Sequence, residues 1–159
     1  MRTQQVECIV FRKKKYQIQY LLLKRVPEKG GFWQPPCGGV EKEDSSLIDA
    51  AYREIQEEAG ISKNEVVRII ENVYEFTMNK DYLTGKESAP LTEYVFGFEV
   101  KPDIIVRIDG NAYIEHEEFV WVSYEKAIEM LKWDDNKNAF RALHAILAKE
   151  SYKSKINDS

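Results

Sequence analysis

Arg53-Glu54-Ile55-Gln56-Glu57-Glu58-Ala59-Gly60-Ile61 decides how this chain is read, because it closes a helix while crowding three carboxylates onto one flank. The helical pattern begins at Ser46 and holds to Gly60. Ser46 with Asp49 three residues later fits a capping box, and Gly60 suits the position just past a helix C-terminus. At about 100° per residue, Leu47, Ile48, Ala51, Ile55 and Ala59 share a broad apolar face, and Glu54, Glu57 and Glu58 gather beside it. Like charges three and four residues apart repel by about a few tenths of a kcal/mol each, and the helix dipole disfavours anions in this C-terminal half. Arg53 neutralises part of the cluster. A hard divalent cation would neutralise more, since Mg²⁺ takes oxygen ligands and commonly combines a few carboxylates with water and substrate phosphate. The spacing alone fits an ordinary solvated acidic face equally well.

Upstream of the helix, Phe32-Trp33-Gln34-Pro35-Pro36-Cys37-Gly38-Gly39-Val40 cannot be regular helix. Before it, Val6 to Phe11 and Ile18 to Leu23 read as two strands joined by the charged turn Arg12-Lys13-Lys14-Lys15. Downstream, Val66 to Met78 and Glu93 to Val100 read as long strands separated by a polar loop long enough to close over a ligand. Ile104 to Ile108 and Phe119 to Val122 read as short strands, and Tyr124 to Leu131 and Asn138 to Lys149 as helices. Strands before, between and after helices predict an α/β (α+β) fold, a mixed sheet with helices packed on its faces. At 159 residues the chain is expected to form one domain over residues 1–150, with a flexible tail over 151–159.

Composition narrows the function. The 23 Lys and Arg against 27 Asp and Glu leave a net charge of -4, which attracts neither a nucleic acid polymer nor an anionic membrane. A phosphorylated ligand must then be held by a local site or a metal. Cys8 and Cys37 form no C-x-x-C pattern and suggest neither a disulfide framework nor a zinc cluster. The first residues show no signal-peptide apolar region, and no apolar run approaches the ~18 residues of a spanning helix, so a cytoplasmic location is expected.

The stretch Arg53 to Ile61 matches in full the second half of the box G-x5-E-x7-R-E-U-x-E-E-x-G-U, with U apolar, and on it the chain resembles the Nudix hydrolase superfamily. The first half departs from the pattern. Six residues on from Gly38 stands Asp44, which keeps an acid but leaves eight residues before Arg53; six on from Gly39 stands Ser45, which keeps the spacing and loses the acid. Asp44 is the preferred alignment, because Phe32-Trp33-Gln34 and Val40-Glu41 then keep their family positions, and Glu43 is a possible substitute.

The resemblance implies a Nudix-type α/β/α sandwich and metal-dependent cleavage of a diphosphate linkage, with Mg²⁺ as cofactor and Mn²⁺ as the alternative. It implies Glu57 and Glu58 as principal metal ligands, joined by Glu54 directly or through water, with Arg53 orienting a glutamate of the cluster. Gly38 and Gly39 would let backbone approach metal and phosphates. Phe32-Trp33-Gln34, Glu115-His116 and the piece from Trp133 to Ala139 look like the branch that hydrolyses dihydroneopterin triphosphate and dATP to monophosphate and pyrophosphate. Trp33 could stack on a purine or pterin ring or belong to the core, and Arg25 could bind phosphate or simply end a strand. Glu115, in the loop before a strand, is the choice for general base. The other expectations are a dinucleoside polyphosphate hydrolase using the same box, or a nucleotide-binding module that has lost the reaction. The partner expected is a small nucleotide or pterin triphosphate, with the protein monomeric or homodimeric.

Overall fold

The computed structural model describes residues 3–81, 83–110 and 113–157. Seven strands make one mixed sheet: β1 (Gln4–Lys14), β2 (Gln17–Arg25), β3 (Trp33–Gln34), β4 (Cys37–Gly39), β5 (Val66–Lys80), β6 (Glu87–Val100) and β7 (His116–Val122). The main path runs β3-β2-β1-β6-β5, with β4 paired to β1 and β7 to β2. Only β1 and β6 run parallel; the remaining pairs are antiparallel. Three helices, α1 (Leu47–Ala59), α2 (Tyr124–Met130) and α3 (Asp134–Asn157), cover the two faces.

The alternation along β1 explains the layering. Val6, Cys8 and Val10 point to one side and pack with Ala50, Ala51, Ile55 and Ala59 of α1. Ile9 and Phe11 point to the other and pack with Ala127 of α2 and Ala139, Phe140, Leu143 and Leu147 of α3. A strand whose residues are buried on both faces must be central in the sheet, and β1 carries six consecutive buried residues, from Val6 to Phe11. The result is the α/β/α sandwich that the sequence predicts. α1 starts where Ser46 Oγ accepts from the Asp49 N–H at 3.1 Å, and ends at Gly60 in the left-handed region (φ 68°).

Two expectations are corrected. Ile104 to Ile108 is not a strand: it passes the end of α1 without regular structure, burying Ile104 and Val106 and donating from the Arg107 N–H to the Ala59 carbonyl at 2.8 Å. The long loop expected between Met78 and Glu93 is largely sheet, because β5 runs to Lys80 and β6 starts at Glu87. Asp81 shapes the remaining turn, its Oδ1 accepting from the N–H groups of Leu83 and Thr84. Over the segment expected to be a flexible tail, α3 continues to Asn157 with residues 151–157 exposed, and Asp158 and Ser159 lie outside the described residues. No helix among the described residues is long and apolar enough to cross a membrane.

Candidate active site

The apolar face of α1 anchors it to the sheet, and that anchoring turns the carboxylate flank toward β4. Arg53 organises the contact. Its Nε donates to Asp44 Oδ1 at 3.0 Å and its Nη2 to Asp44 Oδ2 at 2.9 Å and to the Gly39 carbonyl at 3.0 Å. Its Nη1 donates to Glu54 Oε1 at 2.9 Å and to Glu57 Oε2 at 3.3 Å. The paired hydrogen bonds from Arg53 hold the Asp44 carboxyl below its usual range, against the opposing effect of burial. Glu43 and Ser45 are exposed. Asp44, on the preferred alignment, is therefore the acid that meets the helix, and the turn closed by Glu41 N–H on Asp44 Oδ2 at 2.7 Å accommodates the extra residue.

Gly38 sits directly over Glu54. A Cβ built on Gly38 would lie 2.2–2.4 Å from the atoms of the Glu54 carboxylate, closer than any non-bonded contact allows. Glu54 is buried, and that burial is the main cause that pushes its carboxyl up to about 7, with Arg53 opposing and Glu57 adding to the rise. Glu58 is buried too. Burial first, then Glu54 and Glu115, raise its pKa well above the usual range, although the Cys37 N–H donates to its Oε2 at 3.1 Å. Glu57 is more open and leans on Arg53.

A second contribution comes from a remote part of the sequence. Ligand atoms of Glu58, Glu115 and His116 all lie within 4.8 Å of one another, so the start of β7 brings Glu115 to the helix cluster. Lys29 Nζ lies 3.8 Å from Glu115. His116 is buried with its Nε2 2.9 Å from Gln34 Nε2, and since an amide nitrogen only donates, the imidazole accepts there. Burial, then Arg25 and Lys29, push its pKa down to about 4. Arg25 closes this side: its Nε donates to the Lys29 carbonyl at 2.7 Å and its guanidinium lies 5.4 Å from the Phe32 ring centroid.

Next to the cluster, a cavity of about 290 Å³ opens on the α3 side of the sheet, lined among others by Phe32, Gln34, Cys37, Glu93, Trp133 and Asn136. Cys37 joins the two regions, lining the cavity while its N–H holds Glu58. Trp33 is not among the lining residues. It packs, half-buried, against the core beneath α2 and α3, and bridges to Leu131. Its chain neighbours Phe32 and Gln34 line the cavity instead. Phe32 and Trp133 meet edge to face at 5.6 Å. Sequence reading missed Glu93, Gln5 and Asn136 as lining residues, and the period-2 pattern of β6 was the only available signal for the first of them.

The residues fit a hard divalent cation. Glu58 meets Glu115 and His116, Glu115 lies close enough to raise the pKa of both Glu54 and Glu58, and an ion of opposite charge is what stabilises such buried acids in their ionised form. An α/β/α sandwich carrying this carboxylate helix against a glycine turn defines a protein class. The chain belongs to the family described as NUDIX domain, whose profile matches residues 1–145.

Individual relatives extend the comparison. The chain is 33% identical over 133 residues, 82% of its length, to an octanoyltransferase of Myxococcus xanthus, of which the match covers only 33%. It is 27% identical over 116 residues to an RNA pyrophosphohydrolase of Pelagibacter ubique, covering 68% of this chain and 70% of that one. Among solved structures, a C. elegans Ap4A hydrolase complex superposes with a TM-score of 0.75 at 26% identity, covering 92% of this chain and 98% of that one.

Proposed function

We propose that the protein is a metal-dependent pyrophosphohydrolase that cleaves a diphosphate linkage in a nucleoside or pterin triphosphate, giving monophosphate and pyrophosphate. The observation that carries this reading is the meeting of Glu58 with Glu115 and His116, with Glu54 acting on the same carboxylate, beside a cavity with aromatic walls. Glu54, Glu57 and Glu58 are the proposed holders of Mg²⁺, or of Mn²⁺ in its place. When bound, the ion supplies charge neutralisation on the phosphates and lowers the proton affinity of water.

The chain's own residues do the rest. Asp44 and Arg53 hold the helix entrance against Gly39 and fix the direction of Glu54. Gly38 leaves room for that carboxylate, and the glycine pair lets phosphate approach the backbone. Glu115 takes the proton of the attacking water as its oxygen bonds to the α-phosphorus, while the bond to the bridging oxygen breaks and pyrophosphate departs. Arg25, close enough to Glu58 to lower its pKa, is the phosphate contact. Trp33 keeps the core role that its packing supports, and the ring-stacking role passes to Phe32 and Trp133. The reading places the protein in the cytoplasm acting on small molecules.

The likeness to an Ap4A hydrolase favours one second reading, a dinucleoside polyphosphate hydrolase using the same cluster. One experiment separates them: incubation with Mg²⁺ and dATP, the other nucleoside triphosphates, dihydroneopterin triphosphate, ADP-ribose, diadenosine tetraphosphate and 5′-triphosphorylated RNA, with products identified by mass. Pyrophosphate from dATP or dihydroneopterin triphosphate is the expected result. ATP and AMP from the tetraphosphate establish the second reading, and preference for the RNA end overturns the small-molecule assignment. Folded protein that binds Mg²⁺ and turns over nothing refutes the hydrolase reading in favour of a binding module.

A further inference from the structure

Glu93 lines the cavity and a second acid, Glu7, is buried close enough for Glu93 to raise its pKa, a feature that hydrolysis does not require. Gln5 on β1 and Glu93 on β6 are register partners and share the face beneath α3, where Gln5 Nε2 donates to Glu93 Oε1 at 3.3 Å. Two residues on, Glu7 emerges on that same face, fully buried. Its Oε1 accepts from Nδ2 of Asn136, a cavity residue on α3, while its Oε2 has no hydrogen-bond partner among the described residues. The hydrolytic chemistry does not account for two buried carboxyl groups in such a place, and burial of acids with neutral partners only costs stability.

We propose that Glu93, paired with Glu7, selects the substrate's ring by reading an edge on which an acceptor ring nitrogen sits beside an exocyclic amine, as in adenine and in a pterin. The inference rests on the triphosphate reading given above. Two neighbouring buried carboxyls cannot both ionise cheaply, so the pair retains a proton. Burial pushes Glu93 up to about 7 and Glu7 well above its usual range, with Glu93 adding to the rise at Glu7. A carboxylic acid presents an O–H donor and a carbonyl acceptor side by side, the complement of a ring nitrogen beside an NH₂. Phe32 and Trp133 supply the apolar wall that a flat ring needs. The other titratable groups facing the cavity are Asp135 on α3, Lys80 on β5 and Cys37 on β4. The Cys37 thiol is raised well above its ordinary value by burial.

The test is calorimetric titration of the full chain with α,β-methylene-dATP and with the same analogue lacking the 6-amino group, in Mg²⁺, from pH 7 to pH 9. Wild type is expected to lose roughly tenfold in affinity when the amine is removed, and to bind the amino analogue more weakly at pH 9 than at pH 7. Glu93→Gln, and Glu7→Gln with Glu93→Gln, keep the discrimination and lose the alkaline fall, because an amide offers the same donor and acceptor without titrating. Glu93→Ala binds both analogues alike. Equal wild-type affinity for the two analogues, no binding of either, or unchanged discrimination in Glu93→Ala each overturns the inference. If Glu93→Ala fails to fold, the pH profile of Glu93→Gln decides, a retained alkaline fall being the refuting result. Failure of the reaction itself is separately visible: discrimination without turnover removes the hydrolase reading alone, whereas turnover without discrimination removes only the ring assignment.

Discussion

Replacing Gly38 by alanine tests the site at its tightest point. The new Cβ would stand 2.2–2.4 Å from the Glu54 carboxylate, so that side chain must swing away from β4. Swinging away breaks the 2.9 Å hydrogen bond from Arg53 Nη1 to Glu54 Oε1. A charge-assisted bond of this kind contributes about 1.5–3 kcal/mol. For a chain of this size, at about 2–4 °C per kcal/mol, that corresponds to a melting temperature lower by about 3–12 °C. The same movement takes a proposed ligand out of the cluster, so Mg²⁺ affinity and turnover should fall further than stability does.

A double-mutant cycle isolates the cause. In a Glu54→Ala background there is no carboxylate to displace, and Gly38→Ala should then cost less than about 0.5 kcal/mol beyond Glu54→Ala alone. Melting curves for the four proteins, with and without Mg²⁺, give the coupling directly. Additive losses would refute the reasoning, because they would mean that Gly38 matters for its own backbone and not for the room it leaves Glu54.

Three further outcomes are expected. Asp44→Asn should cost about 1–3 kcal/mol by leaving the Arg53 fork with a weaker partner, whereas Glu43→Gln should stay within about 0.5 kcal/mol; the reverse order in thermal melts would return the acid of the box to Glu43. Glu115→Gln should lower kcat while leaving the melting temperature within a few degrees, and an unchanged kcat would remove it as general base. Metal-free protein should lose stability as pH rises from about 4.5 to about 7. Glu54 and Glu93 each rise from 4.5 to about 7 on folding, so the folded state binds more protons than the unfolded one across that window, at up to about 3 kcal/mol per group. Glu7 and Glu58 act in the same direction. His116, pushed down from 6.5 to about 4, and the lowered His144 oppose them, leaving the net slope negative. Mg²⁺ at pH 8 should recover part of the loss, and a melting temperature that climbs steadily from pH 4.5 to pH 7 without metal would refute the assignment.

What could be read from the chain, and what could not, follows from the range of the interactions concerned. The helix Leu47–Ala59 was legible to the residue because its cap, its apolar face and its terminal glycine lie within fifteen consecutive positions. The choice of Asp44 over Ser45 was legible only as an alignment; the physical reason is the Arg53 fork, which spans nine residues and depends on a turn that adds one. Ile104 to Ile108 has the composition of a strand, yet its buried residues are spent covering the end of α1, a demand made by a helix some forty positions earlier. Trp33 and Phe32 were interchangeable on composition, and only the tertiary packing sends the first to the core and the second to the cavity. The Glu7–Glu93 pair joins strands far apart in sequence, and in β1 Glu7 interrupts an otherwise apolar run without any local compensation. A buried acid with no local explanation is the kind of departure from pattern that marks a position at or next to a ligand site, because a fold that needed only stability would place an apolar residue there. On that reasoning the residues that fix the fold are local and periodic, whereas those that choose the substrate break the period, and Glu7 and Glu93 are the clearest breaks in this chain.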